Sequence, residues 1–234
     1  MLFKLAKKGQ FFILMAVVIC SLVFSLWGAA AQMRRGPALI YATDLNYLLD
    51  NIKNDANRVV QISLAEYSNP ASNSTGLETI LSSNLNDWKG KTRTYLREKG
   101  FEFYCTYAVT EDLRSGQNYN KNPGKSETIV SFTVSIISPS AKVTDSFIVR
   151  AGLYLKVIEG RLNRDSTIKI RVTWNGENGA LIAGCTISGT TSPSGGTLDV
   201  TDNGDGTYTV TVSGAYKVKT VNAIDQHAIY VQRS

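Results

Sequence analysis

The sequence predicts an α+β protein: an N-terminal transmembrane helix, then a helical segment with an antiparallel sheet, then an all-β sandwich. Three observations carry that expectation. Residues 11–31 are an uncharged apolar run, residues 45–96 repeat apolar side chains every three or four positions, and from residue 101 the repeat becomes two, punctuated by Gly, Asn and Ser. Each period reports which side of an element meets a core. The expected organisation is a basic leader over 1–9, a transmembrane helix and flank over 10–35, an α+β extracytoplasmic domain over 36–159, and a sandwich over 160–234. At 234 residues and 43% apolar composition, the chain is long enough for one or two cores.

The run Phe11–Ala31, FFILMAVVICSLVFSLWGAAA, holds 21 residues without a charge. About 20 helical residues cross the hydrocarbon core of a bilayer. Lys4, Lys7 and Lys8 precede the run and Arg34 and Arg35 follow it, so the positive-inside rule favours a cytoplasmic N-terminus and extracytoplasmic C-terminal domains. Residues 1–35 contain no Asp or Glu and supply five of the formal six net positive charges. The rest of the chain is therefore nearly neutral, and its charge marks the flanks of a membrane segment, with no footprint for nucleic acid. Three mature N-termini stay open: an uncleaved anchor, a secretory signal cut after Gly28-Ala29-Ala30-Ala31, and a filament-type leader cut before the apolar run.

Lys7-Lys8-Gly9-Gln10 directly before Phe11 resembles the class III signal peptide of archaeal type IV pilin-like proteins. The resemblance implies a prepilin peptidase that cuts between Gly9 and Gln10, and an apolar helix that stacks with other pilin-like subunits. It also departs from that pattern, because the family's Ser and Glu two and four residues after Gln are here Phe12 and Leu14. That Glu is thought to neutralise a neighbour's new amino terminus, and an unpaired ammonium in hydrocarbon is costly. Leu14 thus fits a minor component, or a plain bitopic anchor, better than a major subunit.

Beyond Gly36-Pro37, Leu45, Leu48, Leu49, Ile52, Ala56, Val59 and Val60 predict an amphipathic helix with Thr43 as its N-cap. Leu77, Ile80, Leu81, Leu85, Trp88, Tyr95 and Leu96 predict a second one, starting near Ser74-Thr75 and stopping at Gly100. Both stripes are expected to be core. The loop between them carries Asn73-Ser74-Thr75, an N-glycosylation sequon with Asn73 as acceptor.

Phe101, Phe103, Cys105, Tyr107 and Val109 then alternate with polar or small residues, which predicts a half-buried strand. After a polar loop from Glu111 to Ser126, Val130, Phe132, Val134 and Ile136 predict a second strand. Ser138-Pro139-Ser140 turns the chain into an antiparallel return over Val143–Val149, and Leu153–Ile158 continues it or adds a strand. A membrane helix, a helical segment and an antiparallel sheet in that order is also the plan of a type IV pilin, although Gly36-Pro37 interrupts the unbroken N-terminal helix of that family.

From Gly160 onward, strands of five to nine residues are expected between turns. Ile168, Ile170, Val172 and Trp174 share one face. Turns at Asn175–Gly179 and Ser192–Gly196 bracket a strand over Ala180–Ile187, while Tyr216–Val221 and Ala228–Val231 close the module. The segment 198–212, LDVTDNGDGTYTVTV, resembles the prokaryotic Ig-like repeats of cell-surface proteins, which carry DNGDGTYT before an inner strand. Such modules act as spacers or adhesive units, so a cell-surface protein or glycan ligand is the partner that this resemblance implies, beside the lipid bilayer. Gly204 and Gly206 suit a tight loop, after which Tyr208, Val210 and Val212 point inward and Thr207, Thr209 and Thr211 outward.

No catalytic, cofactor-binding or metal-ligating residue is assigned. Asp199, Asp202, Asn203 and Asp205 invite a calcium reading, but Gly204 and Gly206 occupy the alternate positions after Asp202 that a D-x-[DN]-x-[DN]-G loop needs for ligands. His227 is the single histidine, which excludes two-histidine zinc sites and makes any Ser-His-Asp constellation depend on it. Cys20, Cys105 and Cys185 form no CxxC pair, and no phosphate-cradling GxxxxGK[ST] loop is present. The expected function is structural or recognitive: a membrane-anchored minor pilin-like subunit of a surface filament or secretion apparatus, or alternatively a non-filament envelope or adhesion protein.

Overall fold

A computed structural model describes residues 45–70, 76–111 and 124–234. The first helix, α1 (45–68), buries Leu45, Leu49, Ile52, Ala56, Val60 and Leu64 along one stripe, with Asn46, Tyr47, Asp50 and Asn54 exposed opposite. The second, α2 (Leu77–Glu98), buries Leu77, Ile80, Leu81, Leu85, Trp88 and Leu96. Tyr95, expected in that stripe, is 55% exposed, because one position before Leu96 it lies about 100° round the helix. Gly76 caps α2 without a side-chain bond. The other end closes as a Schellman motif: Gly100, at φ 82°, donates to Arg97 and Phe101 donates to Leu96. Asn84 Nδ2 donates to Ser63 Oγ at 3.1 Å and to Glu66 Oε2 at 3.2 Å, joining the middle of α2 to the end of α1. The two helices therefore run antiparallel.

Ten strands follow: β1 (Glu102–Glu111), β2 (Lys125–Ile137), β3 (Lys142–Glu159), β4 (Thr167–Trp174), β5 (Ala180–Leu181), β6 (Thr186–Ser192), β7 (Leu198–Asp202), β8 (Thr207–Val212), β9 (Lys217–Ile224) and β10 (Tyr230–Arg233). Seven form one antiparallel sheet in the order β1-β2-β3-β4-β8-β7, with β5 also on β4, and β10-β9-β6 form a second. Register places Phe103, Ile136 and Val143 in one row and Leu155, Val172 and Gly206 near another, so a single apolar face runs the length of the large sheet. The helices cover that face over β1, β2 and the start of β3. Beyond them, β9 and β10 of the small sheet pack against β2, β3, β4 and β8. The buried side chains of both halves form one continuous core.

Here the expected fold class is corrected. The described chain has two helices and mostly antiparallel strands, 46% of it strand, in place of an α+β domain succeeded by a separate Ig-like sandwich. The reason is β3. What looked like a return strand with a possible addition is one strand of 18 residues, whose first half pairs with β2 while its second half also pairs with β4, so the sheet passes residue 160 without a break. The expected Ala180–Ile187 strand is also divided. β5 ends at Leu181, Gly184 turns at φ 75°, and β6 starts in the other sheet. Among the described residues no helix is long and apolar enough to cross a membrane. The expected membrane segment Phe11–Ala31, with Thr43 and Ser74-Thr75, lies outside the described residues.

Two buried serines hold the last strand in place. Tyr230 at the start of β10 donates its backbone N–H to Ser68 Oγ at the end of α1 (2.9 Å), and its carbonyl accepts from Ser126 Oγ of β2 (2.7 Å). These bonds engage backbone groups of an edge strand at a buried position. Ser68→Ala and Ser126→Ala are each expected to destabilise the chain by about 1–3 kcal/mol, the cost of an orphaned buried backbone group, measured by urea denaturation.

Lys53 of α1 reaches Asp145 of β3 at 2.7 Å. The hydrogen bond from Lys53 holds the Asp145 carboxyl below its ordinary value and the same bond raises Lys53. A depressed carboxyl contributes stability that is present above the unfolded Asp value of about 4 and lost as pH falls through the folded one. The raised lysine's share is present below about pH 10.4 and lost as pH rises through its folded value. Asp145→Asn is thus expected to flatten the loss of stability as pH falls below about 5, read from denaturation midpoints from neutral pH down to about pH 2.

Candidate functional site

The DNGDGTYT segment closes the β7–β8 hairpin, and its carboxylates are spent on the turn itself. Asp202 accepts from the Gly204 N–H through Oδ1 (2.8 Å) and from the Gly184 N–H through Oδ2 (2.9 Å). Asp205 Oδ1 accepts from both the N–H and the hydroxyl of Thr207, bonds that hold its carboxyl below the ordinary value. Asn203 Nδ2 donates to Thr207 Oγ1 at 3.0 Å. Thr207, expected to face outward, is consequently buried. This is hydrogen-bond geometry for an Asx-rich turn. Among the described residues no three His, Cys, Asp or Glu side chains are grouped to hold a metal ion.

Gly204 and Gly206 both take positive φ, 78° and 75°, but for different needs. A Cβ on Gly206 would lie 2.7 Å from Leu181 Cβ and 2.8 Å from the Ile182 nitrogen, whereas one on Gly204 meets nothing within 4 Å. Gly204→Ala is expected to cost about 1 kcal/mol from backbone strain alone, and Gly206→Ala clearly more, compared by thermal unfolding of the two variants.

Directly behind this turn stands Tyr208, 1% exposed. Its hydroxyl accepts from the Cys185 N–H (2.9 Å) and donates to the Ile182 carbonyl (2.9 Å). Burial pushes its phenol well above the ordinary value, so it stays a neutral donor. It ties β8 of the large sheet to the segment that crosses into the small one. Cys185 beside it and Cys105 on β1 are both free and buried, and burial raises both thiols. Burial thus disfavours the thiolate, the reactive form, at both positions.

The single histidine belongs to the β9–β10 turn. Asp225, buried, accepts the N–H groups of His227 (3.0 Å) and Ile229 (2.8 Å) through Oδ1, and its Oδ2 lies 3.0 Å from His227 Nδ1. The imidazole stacks on Trp174 at a centroid distance of 5.3 Å. Asp225 organises the turn and orients the ring, as it would in a triad, but among the described residues no Ser, Thr or Cys hydroxyl or thiol hydrogen-bonds the histidine. Sequence reasoning missed Asp225, whose one signal was its place two residues before the histidine.

At the opposite end of the molecule, the start of α1 and the end of α2 leave a groove of about 330 Å³. Leu48, Ile52, Trp88 and Leu96 form its floor, and Asn51, Asp55, Lys91, Thr92 and Tyr95 its rim. The buried Trp88 Nε1 has no hydrogen-bond partner among the described residues. The sequence-predicted site residues Gly9, Gln10 and Asn73 lie outside the described residues. No family model, curated protein or solved structure matches the chain.

Proposed function

We propose that the chain is a structural or recognition protein held at the cell membrane by Phe11–Ala31, with residue 45 onward outside the cytoplasm, serving as a minor pilin-like subunit of a surface filament or secretion apparatus. The observation that carries this reading is α1. It is the first described element after the apolar run, and it lays its apolar stripe along the face of an antiparallel sheet. That is the order and packing of the subunits that the Lys7-Lys8-Gly9-Gln10 segment resembles. The groups with chemical potential support a non-catalytic role, because Asp202, Asp205, Tyr208 and Asp225 are each engaged in holding turns.

A second reading, an envelope or adhesion protein that never enters a filament, is favoured by Leu14 and by Gly36-Pro37. Intact mass and terminal sequencing of protein taken from its native membrane separate the two. A start at Gln10 supports the filament component. A start at Met1 sinks it and leaves the anchor, and a start at Gln32 means that the apolar run was a secretory signal, which removes both.

A further inference from the structure

We infer that the C-terminal half of α2 and the adjoining start of β1 form a docking face for anionic phospholipid headgroups, seating the folded body on the bilayer that anchors it. The inference rests on the anchored reading above and adds which surface meets the membrane.

Position is the first argument. The chain enters the folded body at the start of α1, and the groove places that start beside Lys91, Tyr95 and Leu96 near the end of α2. Residues 32–44 separate Ala31 from α1, a reach of at most about 45 Å. This end of the body is the one that the link joins to the anchor, and a link of this length keeps the effective concentration of a weak headgroup site high.

Charge and side-chain type are the second. Between residues 87 and 104 stand Lys89, Lys91, Arg93, Arg97 and Lys99 against Asp87, Glu98 and Glu102, the last accepting from the Tyr104 hydroxyl at 3.1 Å. Lys91 pairs with Asp87 at 2.7 Å, and among the described residues the other four cations form no ion pair. Two tyrosines are interleaved, Tyr95 and Tyr104, 55% and 51% exposed. Lys99 Nζ lies 5.9 Å from the Tyr95 ring centre, and the Arg93 guanidinium 6.0 Å from that of Tyr104. Exposed rings with a polar tip beside unpaired cations suit the headgroup layer, where tyrosine is enriched and each basic side chain gains from an anionic surface.

The test uses the full chain in nanodiscs of phosphatidylcholine alone and of phosphatidylcholine with phosphatidylglycerol. A water-soluble amine reagent is applied at single-hit levels, and labelling is read lysine by lysine by mass spectrometry. Lys89, Lys91 and Lys99 are expected to label at least about fivefold more slowly in the anionic discs, with Lys156 and Lys219 unchanged and the protection lost at high salt. Arg93→Glu/Arg97→Glu is expected to abolish the protection while the chain remains inserted. Equal labelling in both discs with the chain inserted overturns the docking face alone. Protection in both lipids that grows with the number of chains per disc also overturns it, in favour of a second copy. A chain recovered outside the discs overturns the anchored reading itself, and the docking face with it.

Discussion

A chain carrying Phe132→Ala is expected to unfold in one transition, about 3–5 kcal/mol less stable than the unsubstituted protein. Phe132 is 1% exposed at the middle of β2 and meets three aromatic side chains. Trp88 of α2 meets it edge-on at 6.1 Å, Phe147 of β3 stacks on it at 5.2 Å, and Tyr107 of β1 lies tilted at 6.3 Å. Truncation removes the ring's transfer free energy, leaves a cavity that a sheet cannot collapse to fill, and forfeits the aromatic contacts. The single transition matters as much as the size of the loss. The helices and the small sheet share one large sheet through β3, so loosening the helix-covered half withdraws the pairing partner of β4. Urea unfolding followed by far-ultraviolet circular dichroism and by tryptophan fluorescence should give coincident curves for both proteins. Two separable transitions, only one of them shifted, would show instead that the halves fold independently.

Tyr208→Phe is expected to cost about 2–4 kcal/mol, a large effect for the loss of one oxygen. The ring and its packing stay, but the Cys185 N–H and the Ile182 carbonyl lose their partner inside the protein. The Cys185 N–H is buried and the Ile182 carbonyl partly so, and the desolvation of the former is the main expense. The substitution also releases the crossing between β5 and β6, so amide exchange at Cys185 should accelerate more than that at Val210 in the neighbouring strand. Denaturation midpoints together with hydrogen exchange measure both effects. An exchange increase spread evenly over the molecule would argue that Tyr208 supplies stability without pinning that crossing.

Much of this architecture was legible in residue spacing. The stripes Leu45–Val60 and Leu77–Leu96 predicted α1 and α2, Gly100 marked the helix stop, and Val130 to Ile136 with the Ser138-Pro139-Ser140 turn predicted the β2–β3 hairpin. Tyr208, Val210 and Val212 were legible as inward-facing in the same way. The errors share one cause. Thr207 was placed outward by alternation, but Asp205 and Asn203 turn it into the loop. Tyr95 was placed inward by counting, although only Leu96 faces the core at that turn. Both arise from local geometry that a simple count passes over: hydrogen bonds within the turn override alternation at Thr207, and the helical period itself sets Tyr95 about 100° from Leu96.

By itself, the sequence determined where helices and strands form, where turns must bend, and that an uncharged run flanked by cations precedes the folded body, because these are properties of neighbouring residues. Tertiary structure alone decided the rest. It decided that β3 serves two halves of one sheet, that Ser68 and Ser126 close around Tyr230, and that Asp225 holds His227. It also decided that the basic, tyrosine-bearing end of α2 lies beside the start of α1. Each of these joins residues far apart in the chain, and such pairings are selected by the burial and hydrogen-bond satisfaction of the whole core, which no local period records.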